Sequence, residues 1–376
     1  MLDKSKLDNR IYSLDEITLI PKCKTEVKSR ADVYTLDENG KMPLFVSPMT
    51  CILNINNYDI FNKSTYAVLP IYANRDLKDA AGLSKGWCSV TLSDFRMITN
   101  NATKEDPGKY FICIDTANGH MEDLYVLVPR FKYLYPNSEV MIGNIANADA
   151  YDLCCEAGVD YVRVGIGGGN GCMTSVITGV HNGLVNLLTD IRYKKLTRSV
   201  TGSGKKFLTK VIADGGIDTI DKAIKCLALG ADYVMAGKMF AMCEESCGKK
   251  CYACKEVNSF GETYYDISVE YDMPDENYRN FCREAHIPYN KYTRAVEYYG
   301  QSSVEGQTDR FGYVKSEPEG CKIYLPVKYT YEKLCTRFDA ALRSAMSYCG
   351  CFDLDSFRGY NNIELQSISE FNLYNK

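Results

Sequence analysis

Short apolar runs recur along the first two thirds of the chain, and each has the length of one buried strand. Between several of them, apolar residues recur three and four positions apart, as they do on one face of a helix. The clearest such stripe stops at Gly230 and consists of Ile220, Ala223, Ile224, Leu227 and Ala228. The predicted strands are 42–49, 66–72, 87–93, 110–116, 139–145, 161–167, 210–214 and 233–238.

Eight units of a strand followed by a helix predict an α/β fold, a (β/α)₈ TIM barrel. In this fold the active site forms where the strands end, and polar or glycine-rich segments follow these strands: SPM, DTANG, GNI, GIGGGNGC, ADGG and AGK. A doubly wound parallel sheet is the alternative, but no GxGxxG motif follows the first strand. We expect residues 1–376 to form a single catalytic domain.

Residues 243–297 interrupt this rhythm with a polar, tyrosine-rich segment, and we expect little strand or helix order there. We interpret about 246–296 as an insertion on the catalytic face. Four cysteines at its start form a set able to bind zinc tetrahedrally, with reduced surface thiols as the alternative. They are Cys243, Cys247, Cys251 and Cys254.

Composition and charge exclude some classes of function. A chain of 376 residues, 45% of them hydrophobic, can bury a full core. A formal charge of -4 gives no basic field for nucleic acid. The charged N-terminus lacks the apolar core of a signal peptide, and no run approaches the roughly 18 apolar residues of a membrane span. We therefore expect a cytoplasmic protein without nucleic-acid or membrane partners, whose 17 cysteines are mostly reduced.

The segment GIGGGNGCMTS places Cys172 behind five glycines. Backbone N–H groups of such a turn favour a thiolate, so Cys172 is a candidate nucleophile, with a small buried residue as the alternative. Asp214 ends a strand in IADGG, where a carboxylate can hold ribose hydroxyls and the glycines can face a phosphate. Asp115 ends another strand in IDTANG, and Tyr298 is a candidate phosphate contact. Ordinary turns are the alternative for both aspartates.

Five segments occur in the order, and near the spacing, of the IMP dehydrogenase and GMP reductase family: IDTANGH, GIGGGNGCMT, VIADGGI, YYGQSS and AALRSAMSYCG. The chain resembles that family over most of its length except about 246–296, and YSLDEITLIPK and MPLFVSPM resemble its opening. The resemblance implies a barrel that binds a purine 5′-monophosphate and a nicotinamide dinucleotide, NAD or NADP. A cysteine attacks the C2 carbon of the purine, so that hydride can leave or arrive.

The resemblance also implies roles for single residues. Cys172 would be the nucleophile with Thr174 beside it, and Asp214 would bind the ribose. The remaining substrate contacts would be Ser47, Asn170, Gly215, Gly216, Gly237, Lys238, Tyr298, Gly300, Gln301 and Ser302. The cofactor contacts would be Asp115, Thr116, Asn118 and Gly165. Potassium would bind main-chain carbonyls of Gly167, Gly169 and Cys172, and a homotetramer is implied.

The markers of reaction direction are mixed. SSVEGQ, DRF at 309–311 and PEG at 318–320 resemble the dehydrogenases, which implies Arg310 as the hydrolytic base and Glu319 as a contact to the purine N1 edge. The short interval 300–320 and CKIYLPVKY resemble the reductases. Because Val304 stands where the reductases carry their catalytic glutamate, we favour an IMP dehydrogenase, which converts IMP, NAD and water to XMP and NADH. A GMP reductase, which converts GMP and NADPH to IMP, ammonia and NADP, is the alternative.

Four positions depart from the family pattern: Asn170, Ser175, Lys238 and Phe311. Lys238 replaces a glycine, so that it either contacts the substrate phosphate or blocks its site. These departures keep open a modified purine substrate and a catalytically inactive purine nucleotide-binding protein. The interval from Trp87 to Asp115 leaves no room for a CBS regulatory pair, and we expect none.

Overall fold

The computed structural model describes residues 10–71, 86–101, 108–168, 173–200, 208–257, 263–269, 275–284 and 292–366. Its strands, numbered in chain order, are β1 (Ile17–Leu19), β2 (Leu44–Val46), β3 (Tyr66–Ala67), β4 (Trp87–Val90), β5 (Phe111–Asp115), β6 (Glu139–Ile145), β7 (Tyr161–Val164), β8 (Lys210–Asp214), β9 (Tyr233–Ala236), β10 (Lys250–Val257), β11 (Thr263–Val269), β12 (Tyr292–Tyr299), β13 (Lys322–Pro326) and β14 (Ile363–Leu365).

The α-helices are α1 (Tyr58–Phe61), α2 (Leu92–Asn101), α3 (Glu122–Leu134), α4 (Ala150–Glu156), α5 (Thr174–Thr178), α6 (Leu184–Val200), α7 (Ile220–Ala228), α8 (Lys238–Ala241), α9 (Asp275–Glu284), α10 (Val304–Phe311), α11 (Tyr331–Tyr348) and α12 (Leu354–Arg358). Among the described helices, none combines the length and apolar character that a bilayer crossing needs.

Eight parallel strands form the central sheet, in the spatial order β3-β2-β9-β8-β7-β6-β5-β4. Its two ends meet at Leu69, whose N–H donates to the Trp87 carbonyl at 2.9 Å and whose carbonyl accepts from Ser89 at 2.8 Å. The sheet therefore closes, and the predicted (β/α)₈ barrel is confirmed. All eight strands lie inside the predicted segments, and the doubly wound alternative is wrong.

The barrel strands read as continuous apolar runs because both of their faces are buried. Side chains near the strand starts fill the interior, where the rings of Phe45 and Tyr233 pack edge to face at 5.4 Å and those of Trp87 and Tyr161 at 5.2 Å. The alternating residues, such as Leu44 and Val46, pack outward in the larger cluster with the helices. Since the interior is filled near the strand starts, the open space lies at the carboxyl ends.

The expectation of little order in 243–297 is wrong. β10, β11, β12 and β13 form an antiparallel four-stranded sheet in the order β11-β10-β12-β13, with Lys250 opposite Val296 and Tyr298 opposite Ile323. Cys251, Ala253 and Ala295 form its small buried cluster. A sheet that buries only part of its surface needs few apolar residues, which is why the segment reads as polar. This sheet carries Tyr298 to the catalytic face of the barrel.

Candidate active site

A cavity of about 350 Å³ opens where the barrel strands end. Its wall combines these strand ends with the segment 298–316, so that it joins residues distant in sequence. Among the residues predicted from sequence, it includes Ser47, Asp115, Thr116, Gly165, Gly167, Thr174, Asp214, Gly215, Gly216, Gly237, Lys238, Tyr298, Gly300, Gln301, Ser302 and Arg310. Cys172, Asn170 and Gly169 lie outside the described residues.

One side of the cavity, which we call the barrel wall, consists of Asp115, Asn144, Arg163 and Asp214 on the ends of β5 to β8. The Arg163 guanidinium lies between the two carboxylates, with Nη1 2.5 Å from Asp115 Oδ1 and Nε 3.0 Å from Asp214 Oδ2. The Asn144 amide donates to the same Asp214 oxygen at 2.8 Å. Both bonds go to Oδ2 of Asp214, which lines the same cavity.

Charge dominates the protonation of this buried group. Burial alone would raise the pKa of Asp115, but the positive charges of Arg163 and then Arg310 outweigh it, and the pKa is lowered. Burial likewise opposes the charge on Arg163, but Asp115 and Asp214 raise its pKa. Asp115 and Arg163 are thus both charged at neutral pH. Sequence reasoning missed Arg163, although a charged residue inside the apolar run YVRVGIG was an available signal.

The first part of the glycine loop packs against the ADGG turn. Gly165 has φ +127°, and a Cβ there would lie 2.1 Å from the Asp214 carbonyl oxygen. Gly216 has φ +72°, and its Cβ would lie 2.7 Å from the Gly168 carbonyl oxygen. Only glycine fits such close backbone approaches. Gly168 and Thr174, which flank the segment that contains Cys172, both belong to the cavity wall.

Thr174 and Glu319 form a hydrogen-bonded pair, although they lie 145 residues apart in sequence. The Thr174 hydroxyl donates to Glu319 Oε2 at 2.7 Å. The backbone fixes the pair, because Met173 N–H donates to the Glu319 carbonyl at 2.7 Å and Glu319 N–H donates to the Ser302 carbonyl at 3.1 Å. A hydroxyl in the cavity wall backed by a carboxylate can pass a proton away from the reaction centre.

A second group of lining residues, which we call the outer wall, consists of Gln301, Ser302, Gln307 and Arg310. Arg310 comes from α10, where Ser303 accepts the N–H of Gly306 as its N-cap. Its guanidinium donates to the Asp115 carbonyl at 3.0 Å and to Gln301 Oε1 at 3.1 Å. The DRF segment therefore places a cation against the Asp115 backbone in the cavity wall.

The structure gives contacts for two further predicted ligands, Asn118 and Gly167, whose roles stay predictions. The exposed Asn118 side chain accepts the His120 N–H at 3.0 Å, as in a local turn beside the cavity wall. The Gly167 carbonyl, one of the three predicted potassium ligands, accepts the Ser175 hydroxyl at 3.1 Å. The other two potassium ligands, Gly169 and Cys172, are outside the described residues.

The cysteines predicted to bind zinc lie at and before β10, and those described contact different neighbours. The Cys247 thiol donates to the Thr50 carbonyl at 3.0 Å, while the Cys243 thiol lies 3.7 Å from the Met239 carbonyl and Cys251 is buried on β10. Burial raises the pKa of Cys247 to about 12. In the described part of the chain, no three His, Cys, Asp or Glu side chains form a group able to hold a metal. The Cys254 side chain is outside the description, and the described residues give the zinc prediction no support.

The fold and the cavity define this protein as a (β/α)₈-barrel enzyme with its site at the carboxyl ends of the strands. Comparison with known proteins matches residues 91–269 to the IMP dehydrogenase / GMP reductase domain. The chain belongs to this family and is an oxidoreductase of it.

Relatives of both named activities are found. A GMP reductase of Streptococcus pyogenes is 29% identical over 368 residues, covering 93% of this chain and 94% of the relative. A GMP reductase of Streptococcus gordonii is 28% identical over 360 residues, covering 93% of each chain. An inosine-5′-monophosphate dehydrogenase of Chlorobaculum parvum is 30% identical over 271 residues, covering 69% of this chain and 47% of the relative. The comparisons therefore leave the direction of the reaction open.

Proposed function

We propose that the protein is a nicotinamide-dependent purine nucleotide oxidoreductase that acts as an IMP dehydrogenase. One observation carries the proposal: Thr174, which donates to Glu319, and Arg310 line the same cavity. Hydrolysis of a covalent purine intermediate requires a proton acceptor and a cation in the site. IMP oxidation ends in such a hydrolysis.

In this proposal the purine 5′-monophosphate lies along the barrel ends. Asp214 accepts hydrogen bonds from the ribose hydroxyls, since Arg163 and Asn144 hold its carboxylate in place. The backbone N–H groups of Gly215, Gly216 and Gly237 and the hydroxyl of Tyr298 bind the phosphate. A Cβ at Gly237 would lie 2.9 Å from both Tyr298 Oη and Met49 Sδ, so the glycine keeps this part of the cavity open.

The chemistry begins when the Cys172 thiolate adds to the C2 carbon of IMP. A bound nicotinamide dinucleotide, NAD in this proposal, supplies the hydride acceptor and would lie by Asp115, Thr116 and Gly165 in the cavity wall. Loss of hydride from C2 leaves a Cys172–purine bond, which one water molecule then cleaves. The water gives its oxygen to C2, and the Cys172 thiol is released. The Thr174 hydroxyl takes one proton in place of Arg310, the base that the resemblance implies, because Thr174 donates to Glu319 Oε2. Glu319 is then the proton acceptor and not a contact to the purine N1 edge, while Arg310 stabilises the developing negative charge.

A GMP reductase is the second candidate, and the extent of the match favours it. The chain covers 94% of the Streptococcus pyogenes GMP reductase but 47% of the Chlorobaculum parvum dehydrogenase. Glu305 follows the position where a reductase glutamate is expected, but it pairs with Lys322 on β13 at 3.5 Å. In this alternative the Thr174–Glu319 pair would instead serve the release of ammonia. NADPH would be the hydride donor.

The deciding experiment follows the absorbance of reduced nicotinamide with purified protein. We expect it to rise with IMP and NAD, and a fall with GMP and NADPH would instead establish the reductase. Cys172→Ser is the control, and it should abolish turnover while nucleotide binding persists. If neither pair reacts and 6-chloropurine ribonucleotide leaves Cys172 unlabelled while IMP binds, the protein is a catalytically inactive nucleotide-binding protein.

The proposal extends to assembly and location. We propose a cytoplasmic homotetramer, as the family resemblance implies. Light scattering coupled to size-exclusion chromatography tests the assembly, and a mass near that of one 42.3 kDa chain would contradict it.

A further inference from the structure

The phosphate end of the cavity contains a lysine in an unusual setting. Lys238 lines the cavity directly after Gly237, and Gly215, Gly216 and Asp218 line the same end. The Lys238 ammonium lies 3.1 Å from Asp218 Oδ2. Both side chains are largely buried, with 24% and 20% of their surfaces exposed. A buried lysine needs an anionic partner, and here Asp218 supplies it.

Asp218 has a second cation behind it. Lys222 on α7 lies 3.1 Å from Asp218 Oδ1 and 3.3 Å from Asp15 Oδ2. If Lys238 turns away from Asp218, the carboxylate keeps Lys222 as a partner and is not left as an isolated buried charge. If a phosphate takes the place of Asp218 at Lys238, each of these charged groups still has a partner. An anion that enters the cavity can compete for Lys238.

We propose that Lys238 is a phosphate-binding residue that Asp218 holds at the cavity wall until a phosphate monoester replaces the carboxylate. This inference rests on the proposed function where it names a purine nucleotide as the ligand. Binding of the phosphate group itself does not depend on that function. Backbone N–H groups, here those of Gly215, Gly216 and Gly237, donate to singly and doubly charged anions alike. Lys238 adds a full positive charge, which favours a doubly charged phosphate. The ligand class is thus a sugar 5-phosphate or nucleoside 5′-monophosphate.

The test measures affinity by calorimetry with three probes: IMP, inosine and ribose 5-phosphate. Lys238→Met should lower the affinity for IMP and for ribose 5-phosphate by about 10- to 100-fold, because a hydrogen bond to a charged group is lost. The affinity for inosine should stay unchanged. Asp218→Asn should raise the affinity for both phosphorylated probes by about twofold to fivefold, because the competing carboxylate is removed. The matched control is Lys210→Met, which removes a lysine that pairs with Glu38 at the other end of the barrel. It should change none of the three affinities.

The outcomes separate this inference from the proposed function. If Lys238→Met weakens ribose 5-phosphate but wild-type protein neither oxidises IMP nor reduces GMP, the phosphate site stands and the proposed function fails. If turnover occurs but Lys238→Met binds both phosphates as wild type does, the lysine is a structural ion pair and the inference is overturned. Equal weakening of inosine and IMP also overturns it. Thermal melting of each variant checks that the fold is retained.

Discussion

In the barrel wall, Arg163 is clamped between two carboxylates at the ends of β5 and β8, whereas in the outer wall Arg310 reaches the cavity from a single helix and donates to one carbonyl and one amide. The first arrangement follows from the register of β5, β7 and β8, and it is buried. The second follows from side-chain contacts of α10. Substitutions in the barrel wall should therefore cost stability, while those in the outer wall should cost activity.

The contacts that hold α10 are hydrogen bonds of modest strength. Gln307 accepts the N–H groups of Lys315 and Ser316 at 2.8 and 2.9 Å. Asp309 accepts the hydroxyls of Thr50 at 2.6 Å and Tyr299 at 2.9 Å. Each such bond contributes on the order of 1 kcal/mol. The loss of one such bond should therefore cost little stability.

The largest effect is expected from Arg163→Met. The change leaves Asp115 and Asp214 without their shared cation, and breaking a buried ion pair costs about 3–5 kcal/mol of unfolding free energy. Denaturant unfolding measures it. Arg310→Met is the matched control, since it removes a guanidinium from the outer wall, and we expect its cost to be about 1 kcal/mol. Equal losses in the two variants would contradict the distinction between the walls.

The next effect concerns Glu319→Gln, which removes the proton acceptor behind Thr174. We expect the turnover number to fall about 100-fold, with unfolding free energy close to that of wild type. If the pair serves hydrolysis, hydride transfer stays fast, and rapid mixing shows a burst of reduced nicotinamide before the slow steady state. Ser175→Ala is the control, because this neighbour donates to the Gly167 carbonyl instead. Slowing of the burst itself would exclude the proposed role.

The sequence predicts one part of this site and not another. The strand ends, with Asp115, Asp214 and the glycines, were predictable because buried parallel strands read as apolar runs and the barrel gathers their ends. The Thr174–Glu319 pair was not, since no local pattern links residues 145 positions apart. The partly solvated sheet of β10 to β13 was missed because its strands need few apolar residues. The roles of Cys172 and Asn170 stay predictions.

A smaller effect is expected from Asp309→Asn. An amide is a weaker acceptor than a carboxylate, so the two hydroxyl contacts that position α10 weaken. We expect kcat/KM to fall about tenfold, since Arg310 is then less well placed, with a stability change of about 1 kcal/mol or less. Thr50→Val removes one of the two contacts and should give an intermediate loss in the same steady-state assay. A variant as active as wild type would show that α10 is held by other contacts.

The smallest expected effect is a change in how the unfolding free energy depends on pH in the acid range. It tests the barrel wall alone. Because Arg163 holds the pKa of Asp115 below its ordinary value, the unfolded chain binds the proton more readily than the folded one. The stabilisation is fully present above the unfolded pKa of about 3.9 and is lost as pH falls through the lower folded pKa.

Asp115→Asn removes this contribution, so its unfolding free energy should depend less on pH below about pH 4 than that of wild type, by on the order of 1 kcal/mol. Denaturant unfolding at several pH values gives the two curves. The exposed Asp123, which pairs with Arg96 on the surface, provides the control Asp123→Asn. If that curve flattened as much as the Asp115→Asn curve, the acid sensitivity would belong to the surface charge as a whole. A flattening confined to Asp115→Asn assigns it to the buried pair with Arg163.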